Sequence, residues 1–93
     1  MRHDLTPLEV CERLIGPPSA IAAAVGYTEK APYLWRKESD VRDAGDLPSV
    51  RIMRKLLTHA AARGIPLTAE HLIWGADAAE IEALLSPARE AAE

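Results

Sequence analysis

A glycine separates two short helical patterns in residues 21–37, whose sequence is IAAAVGYTEKAPYLWRK. The apolar residues before it recur at helical spacing, and Gly26 supplies a positive-φ position at which a helix can end. Thr28 follows, where a hydroxyl side chain caps the next helix, and Trp35 can anchor that helix to a core. Neither short helix can bury its apolar side alone, so the pattern indicates helices packed against other helices.

Similar capping and turn residues along the chain predict an all-α domain of five or six short helices. Strand-like alternation is scarce, and 93 residues suit one domain with one modest core. A long helix is expected from residue 49 to about residue 62, and Ser86-Pro87 begins a polar tail over 86–93, either helical or frayed. The predicted helix starts, each a capping or turn residue, are Thr6, Ser19, Thr28, Ser49, Thr68 and Asp77.

Composition argues against several classes of protein. No apolar run approaches the ~20 residues of a membrane span, and the first residues lack the pattern of a signal peptide. The single cysteine, Cys11, cannot form an internal disulfide and lies on the apolar face of the first helix, which favours the cytoplasm and a core position.

Neither an enzyme nor a metal site is expected. No phosphate-binding loop, nucleophile elbow or catalytic carboxylate pair stands out, and we expect no cofactor. The histidines (His3, His59 and His71) and Cys11 lack the spacing of zinc ligands. His59 and His71 are interpreted as surface or helix-end residues.

Charge is distributed unevenly along the chain. The net charge is −3, but residues 30–63 hold eight basic and four acidic side chains, a net charge of +4. Residues 64–93 hold one basic and six acidic side chains, a net charge of −5. Local charge determines which partner binds where, so the middle of the chain is the candidate for a polyanionic partner.

Residues 18–37 resemble the helix-turn-helix of Cro/C1-type repressors, including small phage and YdaS-like regulators. Those proteins have a small-residue helix, then LGVS, then a recognition helix ending near W; the matching letters here are IAAAVGYT and EKAPYLWRK. In many of those proteins the letters IP open the helix after the motif, and the segment LPSVRIMRKLL resembles that opening. The resemblance covers about residues 5–75. It implies a lambda-repressor-like fold. Pro32 stands where relatives have a β-branched residue, which allows a shifted helix start.

The resemblance implies roles for individual residues. Thr28, Lys30 and Tyr33 would face the major groove, although Thr28 could instead serve as a cap. Lys30 would donate to guanine, and Tyr33 would contact a thymine methyl group or a phosphate. Glu29 would accept from cytosine or favour the helix N-terminus. The full set of implied DNA contacts is Ser19, Thr28, Glu29, Lys30, Tyr33, Arg36, Lys37, Ser49 and Arg51.

Several of these contacts are expected at phosphates rather than bases. Arg36 and Lys37 follow the recognition helix, and Ser19, Ser49 and Arg51 open helices whose N–H groups attract anions. Arg54 and Lys55 either contribute similarly or form a solvated face. Double-stranded DNA is therefore the expected partner.

The expected function is that of a transcriptional regulator, a repressor of phage-related genes that binds an inverted repeat as a homodimer. A late apolar cluster places the dimer interface in residues 65–85. The alternative is a helical protein-interaction module, either antitoxin-like or an adaptor. A third possibility is an activator that touches RNA polymerase or a partner regulator through the acidic end.

Overall fold

The computed structural model describes the backbone of residues 4–92 and the side chains of residues 4–85. Within this part the chain forms six α-helices and no strand, so the all-α prediction is confirmed. None of these helices has the length and hydropathy that a membrane crossing requires. The helices are α1 (Pro7–Leu14), α2 (Pro18–Val25), α3 (Ala31–Trp35), α4 (Val50–Arg63), α5 (Ala69–Trp74) and α6 (Ala78–Ala92).

Three helices begin at the predicted hydroxyl caps. Thr6 accepts a hydrogen bond of 3.2 Å from the Glu9 N–H, while the Glu9 carboxylate accepts one of 3.0 Å from the Thr6 N–H. Ser49 caps α4 through the Ile52 N–H, and Thr68 caps α5. These side chains satisfy N–H groups that have no partner within the first turn of a helix.

The end of α2 also follows the sequence prediction. Gly26 lies in the left-handed region, at φ 75° and ψ 28°. The next N–H, that of Tyr27, donates 2.9 Å to the carbonyl of Ala22. This bond closes the helix in the manner of a Schellman motif and turns the chain sharply toward α3.

The start of α3 differs from the prediction. Its N-cap is Lys30, which makes no side-chain capping bond, and Thr28 lies in the preceding turn, where its carbonyl accepts 3.0 Å from the Ala31 N–H. The reason is Pro32, which lies at the second position of the helix. A helix capped at Thr28 would place this proline at the fourth position, where an N–H is required for the first hydrogen bond within the helix.

The core lies between α1 and the helices that surround it. Helix α1 packs against α2, α5 and α6, while α4 packs against α2 and α5. Trp35 is buried, as predicted, and fastens α3 to this core. Tyr27 contacts its ring edge-on at a centroid distance of 6.2 Å, and Tyr27 itself is 48% exposed.

The segment before α1 pairs with the segment before α6. Leu5 and Ala76 exchange two backbone hydrogen bonds, of 2.9 and 3.1 Å. Gly75 makes this approach possible: its φ is +79°, and a Cβ at this position would lie 1.9 Å from the Leu5 carbonyl oxygen. The Asp4 carboxylate accepts from the Ala78 N–H at the start of α6.

Helix α6 extends across the Ser86-Pro87 position. The backbone of residues 86–92 is helical and continues the helix that begins at Ala78. This stretch is the alanine-rich segment marked in the sequence as a tail, and alanine has the highest helix propensity.

Candidate nucleic-acid interface

Helix α3 turns one side to the core and the other to solvent. Pro32 and Trp35 are buried, whereas Tyr33 and Leu34 are 52% and 64% exposed. Ala22 on α2 is also buried and, having only a methyl side chain, allows the close packing of α2 and α3. The outward side of α3 is therefore fixed in orientation and open to a partner.

Most of the implied DNA contacts near α3 lie before or after the helix rather than within it. Thr28, Glu29 and Lys30 are all exposed in the turn before the helix, and only Tyr33 of the implied set lies within it. Arg36 and Lys37 follow its last residue. The expected recognition helix from residue 29 onward is thus reduced to five residues, because Pro32 sets its start.

Arg36 is held by two contacts within the molecule. Its guanidinium carbon lies 4.9 Å from the centroid of the Tyr33 ring, and its Nη2 lies 3.0 Å from Oε2 of Glu12 on α1. The first is a cation–π contact and the second an ion pair. The position of the Arg36 side chain is therefore fixed. The Lys37 side chain is exposed and has no such partner in the described residues.

The residues expected to contact phosphates from helix starts lie at the predicted helix starts, and they are exposed. Ser19 lies in the first turn of α2, and Arg51 in the first turn of α4. Ser49 accepts a hydrogen bond of 3.2 Å from the Ile52 N–H. Its hydroxyl proton is not used in that bond and can be donated to a phosphate oxygen.

Arg42 stabilises the end of α3, a role that was not predicted from the sequence. Its guanidinium donates to the carbonyls of Trp35 at 3.0 Å and Lys37 at 3.1 Å, and to those of Asp46 and Leu34 at 3.4 Å. It therefore satisfies the carbonyls at the end of α3 and ties the following loop to them. Arg42 lies seven residues after the last residue of α3, beyond the turn in which a basic residue signals a helix C-terminus, so no local signal indicated this role.

Two further basic residues of the middle segment also bind within the chain. The Lys55 ammonium donates 3.3 Å to the carbonyl of Val25, and the Arg63 guanidinium donates 3.1 Å to Nδ1 of His59. Partial burial and the nearby Arg63 charge lower the pKa of His59 below its ordinary value. The positive charge of residues 30–63 is thus partly used to hold the fold together.

Four basic side chains of this segment remain exposed, with no hydrogen bond or ion pair to the described part of the chain. They are Lys30, Lys37, Arg51 and Arg54. Two of them flank α3 and two lie on α4, so the cations open to a partner are on the elements that the sequence assigned to DNA contact. Lys30 and Lys37 are point charges on flexible stems.

Cys11 is a core residue, as predicted. Burial, with a smaller contribution from the Glu12 charge, raises the pKa of its thiol from 9.0 to about 12. The thiol is therefore protonated at neutral pH, and a protonated thiol is neither a nucleophile nor a metal ligand.

His71 lies in the first turn of α5, which is the helix-end alternative of the prediction, and it is buried rather than at the surface. It is 4% exposed. Its Nδ1 accepts 3.1 Å from the Thr68 N–H, and its Nε2 lies 3.3 Å from Glu80. It completes a capping box, a role that the sequence analysis did not assign. Across residues 4–85 no three His, Cys, Asp or Glu side chains are arranged to hold a metal ion; His3 lies outside the described residues.

The late apolar cluster divides between the core and the surface. Leu72 and Ile81 are buried, whereas Ile73 and Trp74 are 53% and 61% exposed. Trp74 borders an open groove between α5 and α6, and the acidic Glu70 and Glu80 line the same groove. Part of the expected dimer surface is therefore available, with acidic groups beside it.

Comparison of the chain with protein-family models, with curated proteins and with solved structures found no match.

Proposed function

We propose that this protein is a sequence-specific DNA-binding transcriptional regulator in which α2 and α3 form a helix-turn-helix. The observation that carries the proposal is the arrangement of α3. Trp35 and Pro32 fix the helix on the core, while Tyr33 faces outward between the exposed cations Lys30 and Lys37. A short element with a fixed orientation and flanking positive charge suits entry into the major groove.

Each exposed group has a chemical role in this proposal. Lys30 donates to O6 or N7 of guanine, and Tyr33 contacts a thymine methyl group or a phosphate. Thr28, which does not cap α3, has its hydroxyl available for the groove. Lys37, Ser49 and Arg51 contact phosphates, which set the register of the protein without reading sequence. Ser19 and Glu29 complete the proposed interface.

Repression is the simplest regulatory outcome in this proposal. A small domain that covers a promoter blocks RNA polymerase without any further activity. The proposed site of action is bacterial or phage DNA in the cytoplasm, and the resemblance to Cro/C1-type regulators supports phage-related genes as targets.

The test is selection of binding sites from random-sequence duplexes of about 30 base pairs, long enough for two half-sites about one turn apart. At about 150 mM salt, where non-specific binding is weak, we expect enrichment of one motif. Titration of a duplex with that motif beside its scrambled counterpart then gives the discrimination ratio. Failure to enrich any motif, or equal weak binding to the two duplexes, would refute the proposal.

We also propose that the protein acts as a homodimer through α5 and α6. Two exposed apolar side chains, Ile73 and Trp74, support this interface, and a five-residue α3 reads too few bases for specificity unless it is doubled. Because a twofold axis would bring Glu70 and Glu80 of both copies close together, association should strengthen as salt is added.

Sedimentation at micromolar protein concentration tests the dimer. Trp74→Ser should dissociate it, whereas Val41→Ser, which changes a 95% exposed residue in the loop after α3, should not. A wild-type protein that remains monomeric at low and high salt would leave the α5–α6 surface to a different protein, as in the alternative of an interaction module.

A further inference from the structure

The side chain of Arg36, the residue that directly follows α3, is held in position by two neighbours. Tyr33 and Arg36 are one turn apart, and the guanidinium carbon of Arg36 lies 4.9 Å from the Tyr33 ring centroid. The Nη2 atom of Arg36 lies 3.0 Å from Oε2 of Glu12, a residue of α1 that is 24 positions away in the sequence. The side chain of Arg36 is still 47% exposed.

These contacts leave most of the guanidinium free to bind a ligand. An arginine has five N–H donors, and the structure uses one nitrogen of Arg36, on Glu12. The guanidinium carbon lies over the Tyr33 ring, and almost half of the side chain is exposed, so the N–H groups that Glu12 does not use are available to a ligand. A donor fork that is already held in place loses little conformational entropy when it binds.

The Glu12 carboxylate helps to distinguish between two possible ligands. Its negative charge lies 3.0 Å from Arg36, so it offsets the attraction of Arg36 for a phosphate and repels the phosphate directly. The O6 and N7 atoms of guanine are neutral acceptors, and they match the geometry of a fixed donor fork. A paired, stacked arginine therefore suits a base edge better than a phosphate.

We infer that Arg36 reads a guanine in the major groove, and that Glu12 and Tyr33 position it. This inference rests on the proposed function and changes one of its details, since the sequence suggested a phosphate contact for Arg36. Glu12 is a positioning residue: it touches no DNA in this account and acts through the orientation of Arg36. The fold brings Glu12 of α1 next to Arg36 at the end of α3.

The central variant is Glu12→Met, which keeps a helix-forming side chain of similar length. The matched control is Glu38→Met, because Glu38 is an exposed acid one residue after Lys37 with no hydrogen bond or ion pair in the described part of the chain. Both variants remove one negative charge, which alone should strengthen binding to every duplex. Binding is measured on the selected duplex, on single-base-pair changes of it, and on a scrambled duplex.

We expect Glu12→Met to reduce discrimination at one G·C pair by about tenfold, the value of a good arginine–guanine contact. Binding to the scrambled duplex should stay the same or rise. Glu38→Met should keep full discrimination at that pair. Arg36→Lys, which retains the charge at an exposed site but loses the fork, should reproduce the loss at the same pair.

Two results would overturn the inference while leaving the proposed function intact. One is an Arg36→Lys protein with unchanged discrimination at every position of the selected site. The other is an equal loss on the selected and scrambled duplexes for Arg36→Ala, which would identify a phosphate contact. If the wild-type protein enriches no motif at all, the proposed function fails, and the inference fails with it.

Discussion

Lys55 on α4 donates a hydrogen bond of 3.3 Å from its ammonium group to the carbonyl oxygen of Val25, the last residue of α2. The carbonyls at a helix end carry partial negative charge and lack partners within the helix. Helix α4 is thereby joined to the start of the turn that leads into α3.

We predict that Lys55→Met lowers the free energy of unfolding by about 0.5–1 kcal/mol, the usual value of a cation at a helix C-terminus. Arg54→Met is the control, because Arg54 is its exposed neighbour and has no partner in the described residues. Urea denaturation measures both. Equal stabilities of the two variants would show that the contact with Val25 contributes nothing.

Arg42 should be the basic residue on which stability depends most. Arg42→Lys keeps the charge but replaces two nitrogens with one: Nη1 donates to the carbonyls of Trp35, Lys37 and Asp46, and Nη2 donates to that of Leu34. We therefore expect a loss of about 1–3 kcal/mol. Arg51→Lys, at an exposed position on α4, should stay within about 0.5 kcal/mol of the wild type. Thermal melts followed by circular dichroism compare the two.

Gly75 should tolerate no side chain. Gly75→Ala would place a Cβ 1.9 Å from the Leu5 carbonyl at a φ of +79°, so we expect a loss of more than about 3 kcal/mol. Gly64→Ala, at φ +67° with no atom within 4 Å of the new Cβ, should cost about 1 kcal/mol. A Gly75→Ala protein that is as stable as Gly64→Ala would contradict the close pairing of Leu5 with Ala76.

The Cys11 thiol should make stability fall at high pH. Its pKa is about 12 in the folded protein and near 9.0 when unfolded, so above pH 9 the unfolded state releases a proton that the folded state retains. Stability from this group is complete below pH 9 and declines by up to about 1.4 kcal/mol per pH unit between pH 9 and 12. The advantage of the wild type over Cys11→Ala should shrink across that range.

Lys30 and Arg51 should have different effects on DNA binding. Lys30→Ala should weaken binding to the selected duplex by about 1–3 kcal/mol and binding to the scrambled duplex much less. Arg51→Ala should weaken both similarly and reduce the salt dependence of binding. Filter-binding titrations at several salt concentrations distinguish the two. Equal losses for Lys30→Ala on both duplexes would remove its base-reading role.

Most helices could be predicted from local signals. The hydroxyl caps at Thr6, Ser49 and Thr68 and the turn at Gly26 lie where the sequence indicated. These signals work because a cap or a positive φ depends on a few neighbouring residues. The candidate site on α3 was found for the same reason, through its glycine turn and its tryptophan.

The features that were missed depend on contacts across the fold or on competing local signals. Thr28 is a good capping residue, but Pro32 moved the start of α3 past it. His71 was interpreted as a surface or helix-end residue, and its burial beside Glu80 of α6 was not foreseen. The contact of Arg36 with Glu12 joins α3 to α1, and no spacing along the chain indicates it.

The pairing of Leu5 with Ala76 also has a consequence for the order of folding. It closes a loop of about 70 residues, and closing a long loop costs more chain entropy than forming a short-range contact. The contacts among α2, α3 and α4 span much shorter separations and can form first. On the ribosome the proposed DNA-reading unit can therefore assemble before the segment that completes the core has been synthesised.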